Sequence, residues 1–214
     1  MIQNAIGQEG SGLSDHYYSR NPQVDSNPDE WSYTLRGKTF RFKTDAGVFS
    51  KREVDFGSRL LIEAFVEPEA SGKQPIIDVG CGYGPIGLSL ADSFSDRTIH
   101  MVDVNERALH LSGENARINE IKNVKIYESS VYQNVTETEF AAVVSNPPIR
   151  AGKKVVHEIL ERSKSVLQDG GELWIVIQKK QGAPSAMAKM EDVFGNVKVI
   201  IKKKGYYILK SKKV

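Results

Sequence analysis

The hydrophobic and polar positions of the chain change their period several times, and each change predicts the boundary of an element. Early in the chain, "WSYTLRGKTFRFKT" alternates apolar and polar residues on both sides of Arg36-Gly37, which predicts a β-hairpin. The next segment, "VDFGSRLLIEAFV", repeats its apolar residues at helical spacing. A hairpin and a helix are therefore expected ahead of the main pattern.

After these elements, short apolar strands alternate with amphipathic helices. The predicted strands are "PIIDVG", "TIHMVDV", "NVKIYES", "EFAAVVSN" and "ELWIVIQ". Four helices are predicted between and after them, and we expect the one in "GKKVVHEILERSKSVLQDGG" to end at Gly170-Gly171. A final antiparallel pair should turn at Lys204-Gly205. The pattern predicts an α/β protein with a Rossmann-like, seven-stranded, mostly parallel sheet, helices on both faces, an N-terminal β-hairpin extension and a C-terminal antiparallel hairpin.

Length and composition fit a globular chain with one main core: 214 residues, 40% hydrophobic and 26% charged. We expect a flexible segment over residues 1–30, the hairpin and helix over residues 31–66 packed on the core, and the core itself over residues 67–214. No apolar run reaches the ~20 residues that span a bilayer, and Cys81 is the only cysteine. These features predict a cytoplasmic protein without a membrane partner or a cysteine metal cluster.

Charge is spread unevenly, although the formal net charge is only +2. Residues 198–214 contain seven lysines and no acidic residue, and residues 31–59 contain seven Lys/Arg with three Asp/Glu. Lysines on an edge strand prevent it from pairing with other chains, and clustered lysines also attract a polyanion. The charge pattern alone leaves both interpretations open.

The segment "DVGCGYGPIG" places glycines directly after a predicted strand and before a predicted helix. Gly80, Gly82 and Gly84 allow a tight turn and a close approach of the backbone to a ligand beside a helix N-terminus. Asp103 ends the next strand, where an acidic side chain accepts hydrogen bonds from a ribose diol. The two features together predict a site for a nucleoside cofactor.

Asp78, immediately before the glycine turn, indicates which cofactor this is. A carboxylate at this position repels a pyrophosphate but attracts a cationic group such as an ammonium, directly or through water. We therefore predict S-adenosylmethionine, whose methionine moiety carries an ammonium, and not NAD.

The motifs "DVGCGYGPIG", "VDVN" and "SNPP", with the terminal hairpin, resemble those of class I S-adenosylmethionine-dependent methyltransferases, and the resemblance covers the chain from Phe40 to its end. "TDAGVFS", "VDFGSRLLIE" and "NPPIRAGKKVVHEIL" more narrowly resemble small-domain RNA methyltransferases related to the enzyme that methylates N2 of a guanine in 16S ribosomal RNA. The larger members of that family carry a second, degenerate copy of the fold. This chain resembles the stand-alone catalytic module, with residues 67–214 as the methyltransferase core.

The resemblance implies roles for the residues of the cofactor site. Asp78 would line the methionine end, Asp103 would hold the ribose, and Asn105 would lie beside it as a helix N-cap. Where the family often has an aspartate that contacts the adenine amino group, this chain has Ser130, which offers no carboxylate. The predicted cofactor-binding residues are Asp78, Gly80, Cys81, Gly82, Gly84, Asp103, Val104, Asn105, Ser130, Val131 and Asn146.

Asn146-Pro147-Pro148 stiffens the chain where a buried strand is predicted to end. In the resembled family this motif holds a planar amino group, so the Asn146 side-chain oxygen and the Pro147 carbonyl would accept its two hydrogens. Fixed acceptors would turn the nitrogen lone pair toward the methyl group and stabilise the charge that builds on nitrogen. We therefore predict Asn146, Pro147 and Pro148 as the catalytic residues.

The resemblance implies an RNA substrate, either ribosomal RNA or a small-subunit particle, no metal, and a monomer or weak homodimer. Phe49 is a candidate to stack on the target base or to cover the cofactor, and it could equally cover the sheet edge. The other predicted substrate-binding residues are Ile149, Lys202 and Lys203.

Two other kinds of function stay open. Enzymes of the same fold methylate protein glutamine N5 or adenine N6, but they usually have Tyr or Phe after the two prolines, where this chain has Ile149. A non-catalytic RNA-binding protein that retains the fold is disfavoured by the intact "DVGCGYG" and "NPP" motifs.

Overall fold

The computed structural model describes residues 24–68 and 72–214, so most of the segment expected to be flexible lies outside the described residues. The described residues form nine strands, five α-helices and two short 3-10 turns. In chain order the strands and α-helices are β1 (Asp29–Leu35), β2 (Lys38–Thr44), α1 (Phe56–Ala64), β3 (Ile76–Val79), α2 (Pro85–Ser93), β4 (Ile99–Asp103), α3 (Glu106–Ile118), β5 (Val124–Glu128), β6 (Phe140–Ser145), α4 (Lys153–Val166), β7 (Leu167–Gln178), α5 (Ala183–Phe194), β8 (Lys198–Lys203) and β9 (Tyr206–Lys212).

Seven strands form one sheet in the order β5-β4-β3-β6-β7-β9-β8, and β1 pairs with β2 in a separate hairpin. Strands β3 to β7 are parallel, whereas β9 is antiparallel to β7 and β8 is antiparallel to β9. The predicted Rossmann-like α/β fold is confirmed, together with its terminal hairpin and its N-terminal hairpin. Strands β3 and β6 are buried throughout because helices cover both faces of the sheet.

The two faces of the sheet have separate apolar cores. One face packs against α1, α2, α3 and the N-terminal hairpin, and the other packs against α4 and α5. Side chains alternate between faces along a strand, so Val144 in β6 and Val176 in β7 lie on the α1 face. Asn146 and Gln178, each two residues further on, continue this face at the carboxyl ends of the two strands.

Two asparagine side chains hold the N-terminal hairpin against α3. Asn115 accepts from the Lys43 N–H at 2.7 Å and donates to the Lys43 carbonyl at 3.0 Å, and Asn119 does the same with Arg41 at 2.9 and 2.7 Å. The carboxamides thus take the place of a neighbouring strand along β2. This attachment sets the starting point of the loop that connects β2 to α1.

One boundary differs from the expectation, because α4 ends at Val166 and not at Gly170-Gly171. The chain is extended from Leu167 onward and forms a 12-residue strand. The pairing of β7 with β6 shifts register near Phe140, so the start of β7 bulges. A Cβ on Gly171 would stand 2.9 Å from the Phe140 carbonyl oxygen. The glycine therefore permits close contact in a bulge, and it does not terminate a helix.

Candidate active site

The carboxyl ends of β3, β4, β6 and β7 lie at one edge of the sheet, where the strand order reverses. Strands β4 and β5 extend the sheet on one side of β3, and β6 and β7 extend it on the other. Parallel α/β sheets bind ligands in the crevice at such a switch point. Asp78 in β3 pairs with Val144 in β6, so the glycine turn and the Asn146-Pro147-Pro148 motif lie on the two sides of this crevice.

The glycine turn after β3 is built from left-handed backbone. Gly80, Gly82 and Gly84 have φ angles of 78°, 57° and 103°. A Cβ on Gly84, at the start of α2, would stand 2.8 Å from the Ser112 hydroxyl of α3, so this position requires glycine. Cys81 is buried within the turn and fills it.

Asp78 lies fully buried beneath the turn. Its Oδ2 accepts from the Gly87 N–H of α2 at 2.9 Å, whereas Oδ1 has no hydrogen-bond partner within the described chain. Burial raises the pKa of Asp78 to about 7, the Gly87 hydrogen bond opposes this rise, and the charge of Asp103 adds to it. A buried acceptor of this kind is best satisfied by a donor group, and most strongly by a cationic one.

Asp103, at the end of β4, joins the glycine turn to the turn before α3. Its Oδ2 accepts from the Gly82 N–H and its Oδ1 from the Asn105 N–H, both at 2.9 Å. Burial raises the pKa of the Asp103 carboxyl, although these backbone hydrogen bonds lower it. Each carboxylate oxygen has a further lone pair, so the backbone bonds orient the group without exhausting it as an acceptor.

Asn105 is buried and its side chain is committed to the protein. Its Oδ1 accepts from the Ala108 N–H at 3.1 Å and caps α3, and its Nδ2 donates to the Gly47 carbonyl at 3.0 Å. The predicted N-cap is thus present, and it also holds the loop between β2 and α1. Val104, half-buried between Asp103 and Asn105, completes this strand end.

The turn after β5 contains Ser130 and Val131. Val131 is buried with a φ of 54°, whereas Ser130 is exposed. The preceding Ser129 is buried, and its hydroxyl donates to the Val131 carbonyl and accepts from the Asn134 N–H. The Ser129 N–H also donates to the Asp103 carbonyl. Of the two serines, Ser130 is therefore the one that a ligand beside Asp103 could reach.

Asn146 follows β6 with its carboxamide held on one side. Its Nδ2 donates to Asp55 Oδ2 at 3.2 Å and to Ser58 Oγ at 3.0 Å. A carboxylate only accepts hydrogen bonds, so the amide nitrogen must face Asp55 and the amide oxygen must face away from it. That oxygen and the Pro147 carbonyl make no hydrogen bond within the described residues. Pro147 is buried and Pro148 is half-buried.

The loop between β2 and α1 crosses the strand ends and carries Phe49. Besides the Asn105 bond to Gly47, the Trp31 indole donates to the Lys51 carbonyl at 2.9 Å. Phe49 is 43% exposed and belongs to neither apolar core. The loop therefore places this ring at the surface near the crevice, and both interpretations of its role stay predictions.

The predicted RNA-binding lysines lie on the edge strand β8. The register pairs Gln178 with Tyr206 and Tyr206 with Lys203, so the β8–β9 turn lies at the same sheet edge as the crevice. Lys202 lies over the Tyr207 ring at 5.0 Å. On the other side of the motif, Ile149 is half-buried and packs against the core between the sheet, α4 and α5.

The two basic segments meet in a basic–aromatic cluster, defined as Tyr33, Phe56, Arg59, Lys204 and Tyr206. Lys204 and Arg59 lie 5.1 and 5.7 Å from the Phe56 ring centre, and Arg59 also lies 5.4 Å from the Tyr33 ring. The Phe56 and Tyr206 rings are 5.3 Å apart. Phe56 directly follows Asp55, so the cluster adjoins the group that holds Asn146.

Sequence reasoning missed Asp55 and Ser58 as residues of the site. The signal was an aspartate placed directly before a helical pattern, which is typical of an N-cap. The cap is present, because Asp55 Oδ1 accepts from the Gly57 N–H at 2.8 Å. Nothing in the sequence around Asp55 indicates its second contact, which is to Asn146.

Among the described residues, no helix is both long and apolar enough to span a bilayer, and no group of three His, Cys, Asp or Glu side chains could hold a metal ion.

Comparison with known proteins places the chain in a family. The model of the Methyltransferase small domain matches residues 39–210. The "Uncharacterized protein YbxB" of Bacillus subtilis is 64% identical over 203 residues, 94% of this chain and all of YbxB. The Ribosomal RNA small subunit methyltransferase C of Vibrio parahaemolyticus is 31% identical over 195 residues, 87% of this chain and 54% of that protein. The chain thus spans about half the length of this enzyme.

Solved structures agree with this result. The 16S rRNA N2 guanine-1207 methyltransferase RsmC of T. thermophilus, in complex with AdoMet and guanosine, has a TM-score of 0.79 and 26% identity over 90% of this chain and 52% of that one. A ribosomal protein L11 methylase from Lactobacillus delbrueckii, with a TM-score of 0.61 and 17% identity over 74% of this chain and 79% of that one, shares the fold. The chain therefore belongs to the methyltransferase small domain family, the S-adenosylmethionine-dependent class predicted from its motifs.

Proposed function

We propose that the chain is an S-adenosylmethionine-dependent RNA N-methyltransferase that acts on the 2-amino group of a guanine in 16S ribosomal RNA. The orientation of the Asn146 carboxamide carries this proposal. Its nitrogen is held by Asp55 and Ser58, so its oxygen and the Pro147 carbonyl form a pair of acceptors at the end of β6. A planar –NH₂ group presents two donors, which such a pair fits.

The residues on the other side of the crevice fit S-adenosylmethionine. The buried Asp78 Oδ1, which has no partner among the described residues, offers an acceptor for the ammonium. Asp103 offers its remaining lone pairs to the ribose, and the exposed Ser130 hydroxyl lies at the rim for the adenine. The solved structure of RsmC from T. thermophilus contains AdoMet and guanosine, which supports this choice of cofactor and of base.

The chain contributes position and electrostatics to the reaction. When bound, S-adenosylmethionine supplies a methyl group on a positively charged sulfur. Asn146 Oδ1 and the Pro147 carbonyl hold the two amine hydrogens and direct the nitrogen lone pair toward the methyl carbon. The nitrogen becomes positively charged as its bond to the methyl carbon forms, while the bond between that carbon and the sulfur breaks and its electron pair stays on the sulfur, which becomes neutral. Both oxygens stabilise the charge on nitrogen until a proton leaves to water. No strong base is required, because the alkylated nitrogen is acidic.

Glutamine N5 in a protein is the second candidate target. The fold shared with a ribosomal protein L11 methylase allows it. However, residue 149 is a half-buried isoleucine that packs into the core, so the chain lacks a flat ring after the prolines. The basic–aromatic cluster favours RNA, since its cations suit phosphates and its rings suit unpaired bases.

A methyl-transfer assay tests the proposed function. Tritiated S-adenosylmethionine is incubated with the protein and purified rRNA, small ribosomal subunits, tRNA or a protein extract, and the labelled product is hydrolysed and identified. We expect N2-methylguanosine from ribosomal RNA. Label in N5-methylglutamine, with none in RNA, would replace the RNA function with the glutamine function.

Replacing Asp103 by alanine should weaken cofactor binding by roughly 1–3 kcal/mol, because hydrogen bonds to a charged group are lost. Titration calorimetry with S-adenosylhomocysteine measures the change, with Asp92→Ala on α2 as a matched control, since Asp92 pairs with Lys38 outside the crevice. Wild-type affinity in Asp103→Ala would contradict the ribose assignment. NAD should give no binding heat with either protein.

Replacing Lys202, Lys203 and Lys204 together by glutamine should flatten the salt dependence of RNA binding and leave cofactor binding unchanged. Each lysine that neutralises a phosphate contributes roughly 0.7 to the slope of log affinity against log salt on single-stranded RNA. Filter binding from low to high salt provides the measurement.

The matched control for this variant replaces Lys73, Lys122 and Lys125, which are exposed and lie away from the β8–β9 turn. This variant has the same change in net charge, but its lysines lie away from the proposed RNA-binding surface. It should therefore retain more of the slope of log affinity against log salt. If the two triple variants behave alike and only the first loses solubility, the lysines of β8 and of its turn protect a sheet edge and do not bind phosphates.

A further inference from the structure

We infer that Asp55 and Ser58, at the start of α1, are positioning residues that set the orientation of the Asn146 carboxamide, and that Asp55 is the reason why this chain requires Asn, and not Asp, before the two prolines. The inference rests on the proposed function, because it concerns how the amine-holding oxygen is presented.

The two carboxylate oxygens of Asp55 face different main partners. Oδ1 accepts from the backbone N–H of Gly57 at 2.8 Å, which caps α1, and Oδ2 accepts from Asn146 Nδ2 at 3.2 Å. Both oxygens also accept from the backbone N–H of Ser58 at 3.3 Å. Ser58, which is buried, accepts from the same Asn146 nitrogen at 3.0 Å. Both hydrogens of the Asn146 amide are therefore used on the α1 side, and its oxygen is directed away from α1.

The start of α1 is itself held in place. A Cβ on Gly57 would stand 2.9 Å from the Tyr206 ring, so the helix backbone lies directly against β9. Val54, immediately before the cap, is fully buried. The Asp55 carboxylate is thus a fixed acceptor, and Asn146 must match it with a donor.

The chemistry of this contact predicts how the two positions depend on each other. In Asn146→Asp, two carboxylates would face each other at hydrogen-bond distance, and they could keep the contact only by sharing a proton. The activity of this variant should therefore fall as the pH rises. In Asp55→Asn, the asparagine still caps α1, but its nitrogen faces Asn146 and favours rotation of that carboxamide. The amide nitrogen would then face the substrate amine, so two hydrogen-bond donors would meet where an acceptor is required.

The double variant Asp55→Asn/Asn146→Asp restores a matched pair with the donor and the acceptor exchanged. The amide introduced on α1 donates through its nitrogen to one oxygen of the carboxylate introduced before the prolines, and the other oxygen of that carboxylate faces the substrate as an acceptor. We expect each single variant to lose about tenfold or more in kcat at pH 8, the value of one misplaced hydrogen bond to a charged group, and the double variant to exceed both. If each substitution only disturbed the structure, the two losses in kcat would instead multiply in the double variant.

The experiment measures kcat, KM and S-adenosylhomocysteine affinity from pH 6 to 9 for the wild type, both single variants and the double variant on ribosomal RNA. We expect changes in kcat at constant cofactor affinity, and a decline with pH that is present in Asn146→Asp and absent from the double variant. Asn146→Asp/Asp92→Asn is the matched control, because Asp92 lies on α2 and bonds to Lys38; it should show no recovery.

The outcomes separate this inference from the proposed function. One outcome is that the wild type methylates guanine N2 while the double variant loses kcat by the product of the two single-variant factors. In that case Asp55 has no positioning role and the proposed function stands. If the wild type transfers no methyl group to RNA, the proposed function fails first. Ser58→Ala, which removes only one of the two acceptors, should lower kcat less than Asp55→Asn, and a larger loss would overturn the ranking given to Asp55.

Discussion

Replacing Asn146 by alanine is expected to slow methyl transfer ~10²–10³-fold while leaving the cofactor bound. A loss of this size in rate is usual when one preorganised polar group is removed from a closed site. The variant deletes the Oδ1 acceptor but retains the Pro147 carbonyl and both prolines. It also deletes the donor to Asp55 and Ser58, although Asp55 still caps α1 through Gly57. The loss should therefore appear in the rate of transfer, with folding and cofactor affinity preserved.

Single-turnover transfer from tritiated S-adenosylmethionine measures this loss, and calorimetry with S-adenosylhomocysteine confirms that the cofactor site is intact. Asn134→Ala is a suitable control, since Asn134 is an exposed asparagine whose Nδ2 donates to the Glu128 carbonyl away from the motif. Near-normal turnover in Asn146→Ala would falsify the amine-holding role, and an oxygen or carbon atom would become the better candidate target.

The positions of the glycine turn and of the Asn146 motif could be predicted because both are features of strand ends. In a parallel sheet the carboxyl ends of neighbouring strands share one edge, so an apolar run followed by a distinctive turn locates each group. Asp78, Asp103 and Asn146 all follow from this rule. Their mutual placement also depends on the order of the strands, with β3 between β4 and β6, and the alternation of strands and helices does not specify that order.

The partner of Asn146 could not be predicted in the same way. Asp55 lies 91 residues earlier in the chain, and its local pattern is fully accounted for by its role as a helix cap. The contact arises from the packing of α1 on the sheet face that Asn146 continues, and such packing depends on side chains distributed over the whole core. Only the folded arrangement reveals that one carboxylate serves both purposes.

The end of α4 and the role of the lysines illustrate two further limits. Gly170-Gly171 has the composition of a helix stop, yet the pair lies inside β7 because the pairing with Phe140 continues through a bulge. The lysines of β8 fit both interpretations, since β8 is an edge strand whose turn also lies at the crevice edge. Charge alone could not separate these two roles, because one position in the sheet supports both.

Replacing Asp78 by asparagine is expected to stabilise the cofactor-free protein at alkaline pH. In the wild type, burial raises the pKa of this carboxyl from 3.8 to about 7. Between pH 5 and 7 the folded chain therefore still holds a proton that the unfolded chain has lost, so the free energy of unfolding falls as the pH rises. Over these two pH units the free energy of unfolding should fall by roughly 3 kcal/mol. Above pH 7 the contribution of Asp78 no longer changes with pH. Asparagine does not ionise and removes this decline.

Urea unfolding at pH 5 and pH 8 measures the effect on stability. The advantage of Asp78→Asn over the wild type should be larger at pH 8 than at pH 5, because only at pH 8 is the wild-type carboxyl ionised in the folded state. Asp96→Asn is the matched control, since Asp96 is a surface carboxylate 4.0 Å from Lys73. An equal difference at both pH values would show that Asp78 ionises normally in the fold.

Cofactor binding should respond to the same substitution in the opposite direction. If Asp78 holds the ammonium of S-adenosylmethionine as proposed, its Oδ1, which has no partner among the described residues, should attract that group once the carboxyl is ionised, so wild-type affinity should rise as the pH increases through 7. Asp78→Asn should bind more weakly at pH 8 by about 1.5–3 kcal/mol, the value of hydrogen bonds to a charged group, and should lack this rise. The substitution would then combine higher stability with lower affinity, as expected for a carboxylate that is buried to meet a ligand. Equal affinities at pH 8 would remove Asp78 from the cofactor site.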